Sequence, residues 1–410
     1  MSDVDPQSRA YHRRLLVFLS VASFFEGYDF FAFAQLLPNI RAHYGLTAAE
    51  GGALVAFVSA GTMIAYVLVR TADRWGRKRV LSLTILGYAA CSFLSGLAPN
   101  ALTFGILQLL ARVFLIGEWA VAMVVAAEEF PAERRGSAMG IIQGASTLGA
   151  IVCAGVVPLL LKLPTGWRSV YFVGAVPLLL LAFARRTMRE TKRFEARAAS
   201  AENTAHGFFD ILKGPHRRRV LLVALVWALT YVCTQNAITF WKEFAVAERG
   251  MTDGDVGLAI TIAAVGSLPL VFLSGKLLDK IGRKNGSIII FLATSAGTVG
   301  AYTLASKIPL TISLVIAIFG TTAVLQVLNA FTAELFPTEH RADAFAWSNN
   351  LLGRIGYVLS PYAVGVFAER AGWGIAVSST AIFPLIALIL ILAFFPETKG
   401  KELEETAATH

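Results

Sequence analysis

Charge is what this chain has least of. Asp, Glu, Lys and Arg make up 15% of its 410 residues, against 56% apolar, where a soluble domain carries about 25% charge. Such a composition cannot cover a water-facing globule, which excludes a soluble enzyme, a nucleic-acid-binding domain and a disordered tail. Cysteine is equally scarce. Cys91, Cys153 and Cys233 all sit inside apolar runs, so they form neither a disulfide framework nor a metal-ligand spacing. There is no nucleotide-binding loop. Every histidine lies outside the apolar runs, and no Ser-His or paired-Asp arrangement falls within them, which argues against intramembrane enzyme chemistry.

What is present is length in apolar runs. A bilayer-spanning helix needs about 20 mostly apolar residues. Breaking the runs at charge clusters predicts twelve spans, near 15–38, 51–70, 80–98, 102–127, 137–162, 169–186, 219–241, 255–276, 286–305, 309–333, 342–367 and 373–395. The first is too long for a signal-peptide core, carries two carboxylates, and reads as an uncleaved helix. The net charge of +9 then sorts by side. Of 36 Lys and Arg, 27 fall in the termini, the central segment and the loops on one face, 7 on the other, and 2 within spans. The positive-inside rule makes both termini cytoplasmic, so the excess of positive charge reports topology and not a nucleic-acid partner.

The chain also repeats itself at a spacing of 206 residues. Asp73-Arg74-Trp75-Gly76-Arg77-Lys78 follows the second span and Asp279-Lys280-Ile281-Gly282-Arg283-Lys284 the eighth. Glu128-Glu129-Phe130-Pro131 follows the fourth and Glu334-Leu335-Phe336-Pro337 the tenth, leading to Arg135 and Arg341. A looser echo joins Glu190-Thr191-Lys192 to Glu397-Thr398-Lys399. The expected architecture is an all-α membrane protein of twelve transmembrane helices in two six-helix pseudo-symmetric bundles. The first bundle covers residues 1–186, a cytoplasmic linker 187–218, and the second bundle with a short tail 219–410. Repeats of this kind build transporters whose site lies between the halves near the bilayer midplane. Gly76 and Gly282 suit the sharp turn of a short loop. Asp73 and Asp279 can cap a helix N-terminus or pair with Arg77, Arg135, Arg283 or Arg341.

These doubled loops, with the closing Pro396-Glu397-Thr398-Lys399-Gly400, resemble the major facilitator superfamily over essentially the whole chain. Gly27-Tyr28-Asp29 in span one and Gly117-Glu118-Trp119 in span four are most similar to its organic-acid:proton symporters. The resemblance implies a cytoplasmic gate formed by Asp73, Gly76, Arg77, Glu128, Arg135, Asp279, Gly282, Arg283, Glu334 and Arg341. In one departure, Val69 stands where the second copy has Gly275, a position at which glycine permits close helix packing.

Five charges remain inside spans: Glu26, Asp29, Arg112, Glu118 and Arg354. Each costs on the order of 3 kcal/mol at mid-bilayer unless it faces a cavity or partner, so each is a functional candidate. At 1.5 Å per residue, Asp29 lies roughly 21 Å from the cytoplasmic end of span one and Arg112 roughly 15 Å from the outer end of span four. In helices about 36 Å long those depths coincide. An Asp29–Arg112 pair is therefore expected, in which protonation of Asp29 releases Arg112 to an anion and the anion favours the proton. Glu26, one turn before Asp29, and Glu118, below Arg112, are further proton-coupling candidates. Arg354 has no acidic mate among the C-half spans, and guanidinium suits bidentate carboxylate binding; in the resembled organic-ion carriers an arginine of span eleven accompanies anionic substrates. Tyr28, Gln143, Gln235, Asn236, Gln326, Asn329, Asn349 and Asn350 complete the candidate substrate pocket.

The expected function is proton-coupled uptake of a small organic anion, a monocarboxylate or aromatic acid, by a monomer in the bacterial inner membrane. It would run on the proton gradient, with no metal, ATP or other cofactor. A neutral-sugar or polyol symporter is the first alternative, suggested by the Pro-Glu-Thr-Lys-Gly tail and disfavoured by Arg354. Drug efflux is the second, disfavoured because Pro158 does not follow a glycine. A non-transporting receptor would need a long extramembrane domain, and the central segment has about 32 residues.

Overall fold

The computed structural model describes residues 6–184, 210–337 and 340–399, and the described residues are almost entirely helical. The apolar runs dictate this. Inside a bilayer every backbone N–H and C=O needs a partner within the protein, and a helix supplies them all locally.

The first six spans are α1 (Pro6–Tyr44), α2 (Ala48–Trp75), α3 (Arg77–Ser95), α4 (Ala101–Glu129), α5 (Ala132–Leu160) and α6 (Arg168–Ala184). A short α7 (Asp210–Lys213) precedes α8 (Arg217–Thr239), and α9 (Trp241–Ala247) precedes α10 (Asp253–Ile281), α11 (Arg283–Thr303) and α12 (Lys307–Glu334). The eleventh span begins as α13 (Arg341–Phe345), widens into a π-helix (Ala346–Gly353) and continues as α14 (Arg354–Ser378). Inside α14, Gly372 takes φ 82° and breaks the rod, so the twelfth span starts there and ends with α15 (Ile382–Phe394). Nine helical stretches among the described residues are long and apolar enough to cross a membrane by themselves, and one of these, Arg341–Phe394, holds the last two spans. The shorter or more polar α3 and α6 complete the twelve. Large apolar side chains such as Phe272, Ile308 and Leu102, each more than 70% exposed, turn outward as lipid-facing residues do.

Contacts divide the chain into two compact units, Met1–Ile40 with Phe57–Thr204 and Arg41–Ala56 with Ala205–His410. The boundary at 186 reached from sequence puts residues 41–56 with the first bundle. Their contacts put them in the second unit, for a local reason. Arg41 donates to Glu243 at 2.7 Å, and Gly52 and Gly365 lie back to back, so that a side chain on Gly52 would strike the Pro361 carbonyl.

In the first unit, Leu19, Val80, Leu81, Val121 and Ile142 form one buried cluster, and Ile85, Tyr88, Ala111 and Leu178 another. Helix α1 crosses α5 almost backbone to backbone. A side chain at Gly149 would put its first carbon 1.8 Å from the Phe24 carbonyl oxygen, and one at Gly27 would meet the Ser146 carbonyl at 1.9 Å. Without a hydrophobic drive between helices in lipid, small residues that let backbones touch hold such crossings together. This crossing fixes the stretch of α1 that carries Glu26 and Asp29. In the second unit Trp227, Phe291, Val327, Phe331 and Phe336 form the core.

Candidate functional site

The loops between spans show the repeat at atomic scale. Gly76 and Gly282 both hold positive φ, 92° and 96°, a backbone shape that side-chain-bearing residues rarely adopt. Immediately after each, an arginine reaches the glutamate 51 residues on: Arg77 to Glu128 at 3.2 Å and Arg283 to Glu334 at 2.9 Å. Asp279 joins from a mostly exposed position, 3.0 Å from Arg283; the side chain of Asp73 lies outside the described residues. Arg135 forms no ion pair among the described residues, and Arg341 reaches the Phe336 carbonyl. Glutamates thus hold arginines in both loops, with Asp279 a second partner of Arg283. A side chain on Gly275 would meet nothing within 4 Å, so close packing inside its own unit is not what that glycine provides.

The tail closes on the second loop. Both oxygens of Glu397 accept backbone N–H groups at the start of α11, from Arg283 at 2.8 Å and Lys284 at 3.0 Å, and Thr398 hydrogen-bonds Glu334. Partial burial pushes the Glu397 carboxyl up, but the four backbone N–H groups of Arg283, Lys284, Lys399 and Thr398 together hold it below the ordinary glutamate value. The corresponding Glu190-Thr191-Lys192 and the tail from Gly400 onward lie outside the described residues, as does most of the 187–218 linker.

Deep in the first unit, Glu26, Asp29 and Glu118 are each at least 94% buried. The expected ion pair is absent: Arg112 bonds neither Asp29 nor Glu118. Asp29 instead accepts from Ser92 of α3, Oγ to Oδ2 at 2.8 Å, and feels Arg112 only through space. Arg112, also buried, lays its guanidinium over the ring of Phe30 at 4.2 Å, and its Nη1 has no hydrogen-bond partner. The depth estimate holds, since Phe30 is the residue after Asp29, but the helix rotation hands the cation to the neighbouring ring. Tyr88 joins α3 to this cluster. Its hydroxyl donates to the Phe25 carbonyl at 3.2 Å, faces Asp29, and lies within electrostatic reach of Glu26 and Glu118. Tyr28 is buried with its hydroxyl turned to the Val170 carbonyl, and so is spent on packing.

The second unit holds Arg354 between two rings, 4.9 Å from the centroid of Tyr357 and 5.2 Å from that of Tyr231. No carboxylate reaches it among the described residues, and its Nε has no hydrogen-bond partner. Tyr231 in turn donates to Asn349 at 2.7 Å. Asn349 lies in the π-helix, whose wider turn shifts the register just before Arg354. Close approach fixes this segment, because a side chain on Gly353 or Gly356 would strike Trp227 or the Ala228 carbonyl.

The remaining candidates separate. Asn236 is fully buried and its amide nitrogen is used inside the bundle, donating to the Val232 carbonyl and to Ser360 at 2.8 Å, while its Oδ1 has no hydrogen-bond partner. Gln326 accepts from Ser274 at 2.8 Å. Gln143 is exposed and accepts from Trp119. Gln235 and Asn350 are half-buried and Asn329 is exposed. Ser92, Tyr88, Phe30 and Tyr357 did not stand out in the sequence. A signal for two of them existed, since Thr84, Tyr88, Ser92 and Ser95 recur at helical spacing and form a buried polar stripe along α3.

Twelve helical spans, with buried charges in α1 and α4, define a class: a multi-pass membrane protein. A family model described as Major Facilitator Superfamily matches residues 19–245 and 228–410, and the chain belongs to that superfamily. It is 29% identical to a protein of Cupriavidus pinatubonensis named "Probable 4-methylmuconolactone transporter", over 92% of this chain and 89% of that protein. It is 25% identical to the cis,cis-muconate transport protein of Acinetobacter baylyi, over 90% and 91%, and 25% to the gallate transporter of Pseudomonas putida, over 85% and 84%. Among solved structures, the inward-open xylose transporter XylE from E. coli superposes with TM-score 0.77 at 18% identity, covering 96% of this chain and 99% of that one, a likeness of fold.

Proposed function

We propose that the chain is a proton-coupled symporter that takes up a small organic anion, a monocarboxylate or aromatic acid, by alternating access, with both termini cytoplasmic in the bacterial inner membrane. One observation carries the reading. Two intramembrane arginines, Arg112 and Arg354, rest on aromatic rings and carry nitrogens without hydrogen-bond partners. A guanidinium over a ring keeps its in-plane N–H donors free, and a carboxylate is the group that accepts them in pairs. An arginine at this depth costs about 3 kcal/mol or more without compensation, so an arriving anion relieves a standing cost. An aromatic acid matches both parts, carboxylate to guanidinium and ring to Phe30, Tyr231 or Tyr357. The chain's similarity to muconate and gallate transporters supports an organic acid.

Asp29 is the proton site of this reading, with Glu26 and Glu118 beside it. An anion at Arg112 cancels the positive field that Asp29 senses and makes its proton harder to lose. Proton and anion then favour each other, by about 1–3 kcal/mol for a typical coupling. The drive is a proton gradient, without ATP, metal or cofactor. Purified protein in liposomes, given an imposed pH gradient and a panel of labelled acids and sugars, tests this directly. Accumulation of an acid that collapses with a protonophore is expected; accumulation of a neutral sugar and of no acid would overturn it.

A further inference from the structure

Asp29 accepts its short hydrogen bond from a helix that none of the loop motifs mark, and the Tyr88 hydroxyl of the same helix also faces it. Ser92 and Asp29 are both buried, and the Oγ to Oδ2 distance is 2.8 Å. The second oxygen, Oδ1, is buried without a hydrogen-bond partner and faces Gly174 of α6, where a side chain would begin 3.4 Å away. The charged and titratable groups around it come from four helices. They are Glu26 and Tyr28 on α1, Tyr88 on α3, Arg112 and Glu118 on α4, and Cys153 on α5, which faces Tyr28.

Ser92 differs from the charged groups among these in what a hydroxyl can do, and the hydroxyls of Tyr28 and Tyr88 are turned to carbonyls. It donates to an ionised carboxylate, and it accepts from a protonated one while turning its own hydrogen elsewhere. Elsewhere is available, because a serine in a helix can donate to the carbonyl four residues back. Ser95 does so to Cys91 at 2.8 Å and Ser82 to Lys78 at 2.7 Å in the same helix. Arginine offers donors only, and Tyr88 already donates to the Phe25 carbonyl.

We propose that Ser92 is the positioning residue of the proton site, its hydroxyl holding Asp29 in one place through both protonation states. Resting on the reading of Asp29 as the coupling carboxylate, this adds the group that keeps Asp29 Oδ2 hydrogen-bonded as Asp29 gains and loses a proton. Neither step needs a co-reactant: the proton on Asp29 comes from and returns to water, and the Ser92 hydrogen only rotates.

Difference infrared spectroscopy of the full chain in liposomes, between acid and alkaline pH, reads the contact directly. In the unaltered protein a protonated-carboxyl band appears, and Asp29→Asn removes it, which assigns the band. Ser92→Ala shifts that band toward the frequency of a carboxyl without a hydrogen bond, whereas Ser92→Thr, which keeps the hydroxyl, leaves it near its original place. A band lost in Asp29→Asn but unmoved in Ser92→Ala overturns the role of Ser92 alone. A spectrum unchanged by Asp29→Asn overturns the assignment of Asp29 as the proton site and the inference with it. Should Ser92→Ala fail to fold, Ser92→Cys, a weaker donor of similar size, carries the same shift in smaller measure, and an unmoved band there overturns the proposal equally.

Discussion

A buried arginine in this chain chooses a ring over an acid, and the choice is a matter of side-chain geometry. Depth along α1 and α4 brings Arg112 level with Asp29, yet Phe30 takes the guanidinium and Ser92 takes the carboxylate. Arg354 repeats the pattern with Tyr231 and Tyr357. A planar cation stacked on rings retains its fork of donors, which a lysine ammonium cannot reproduce. Arg354→Lys should therefore raise the KM for the accumulated acid about tenfold, the loss of one charged hydrogen bond of ~1.5 kcal/mol, and Arg354→Ala should raise it further. The concentration dependence of uptake measures this, and an unaltered KM in Arg354→Ala would remove Arg354 from the substrate site. The five intramembrane charges were legible in the sequence because the bilayer tolerates so few. Their partners were not, since which neighbour a side chain meets depends on how each helix is rotated about its axis.

At the scale of elements, two departures from a regular apolar helix mark the sites. One is the polar stripe of α3, which buries Thr84, Tyr88, Ser92 and Ser95 and places Ser92 against Asp29. The other is the π-helix Ala346–Gly353, which precedes Arg354. A third element-scale device is the tail. Glu397 caps α11 by accepting the N–H groups of Arg283 and Lys284, where a helix leaves its first donors unsatisfied and favours an anion. Its carboxyl is held below the ordinary value in the folded protein, so its contribution is present above the unfolded pKa of about 4.3 and is lost as pH falls through the lower folded value. Glu397→Gln should therefore lower the thermal unfolding midpoint in detergent at pH 7, by the ~1 kcal/mol typical of a lost cap. The gap between variant and parent should close in acid below pH ~4. An equal gap at both pH values would mean that the carboxylate charge is not what stabilises the loop.

For the whole molecule, the repeat at 206 residues is the strongest feature. One ion pair recurs in both halves, Arg77–Glu128 and Arg283–Glu334, at the same separation. Sidedness belongs to this scale as well. Cys91, Cys153 and Cys233 are buried, so single cysteines can be added without removing them. With both termini cytoplasmic, Arg370→Cys should react with a membrane-impermeant maleimide on intact cells, and Arg79→Cys only after permeabilisation. Labelling in the opposite order would invert the topology.

The sequence by itself determined the membrane class, the twelve spans and the doubled design. Those follow from apolar length, charge scarcity and spacing, quantities that each segment carries locally and that a bilayer reads without reference to the rest of the chain. It also singled out Asp29, Arg112 and Arg354, because a charge in an apolar run is conspicuous before folding. Only the tertiary structure decided that Ser92, and not Arg112, binds Asp29, that Asn236 donates to Ser360, and that Glu397 caps α11. Each of those is a contact between residues 63 or more positions apart, fixed by helix rotation and by glycine-permitted close approach, which no local pattern encodes.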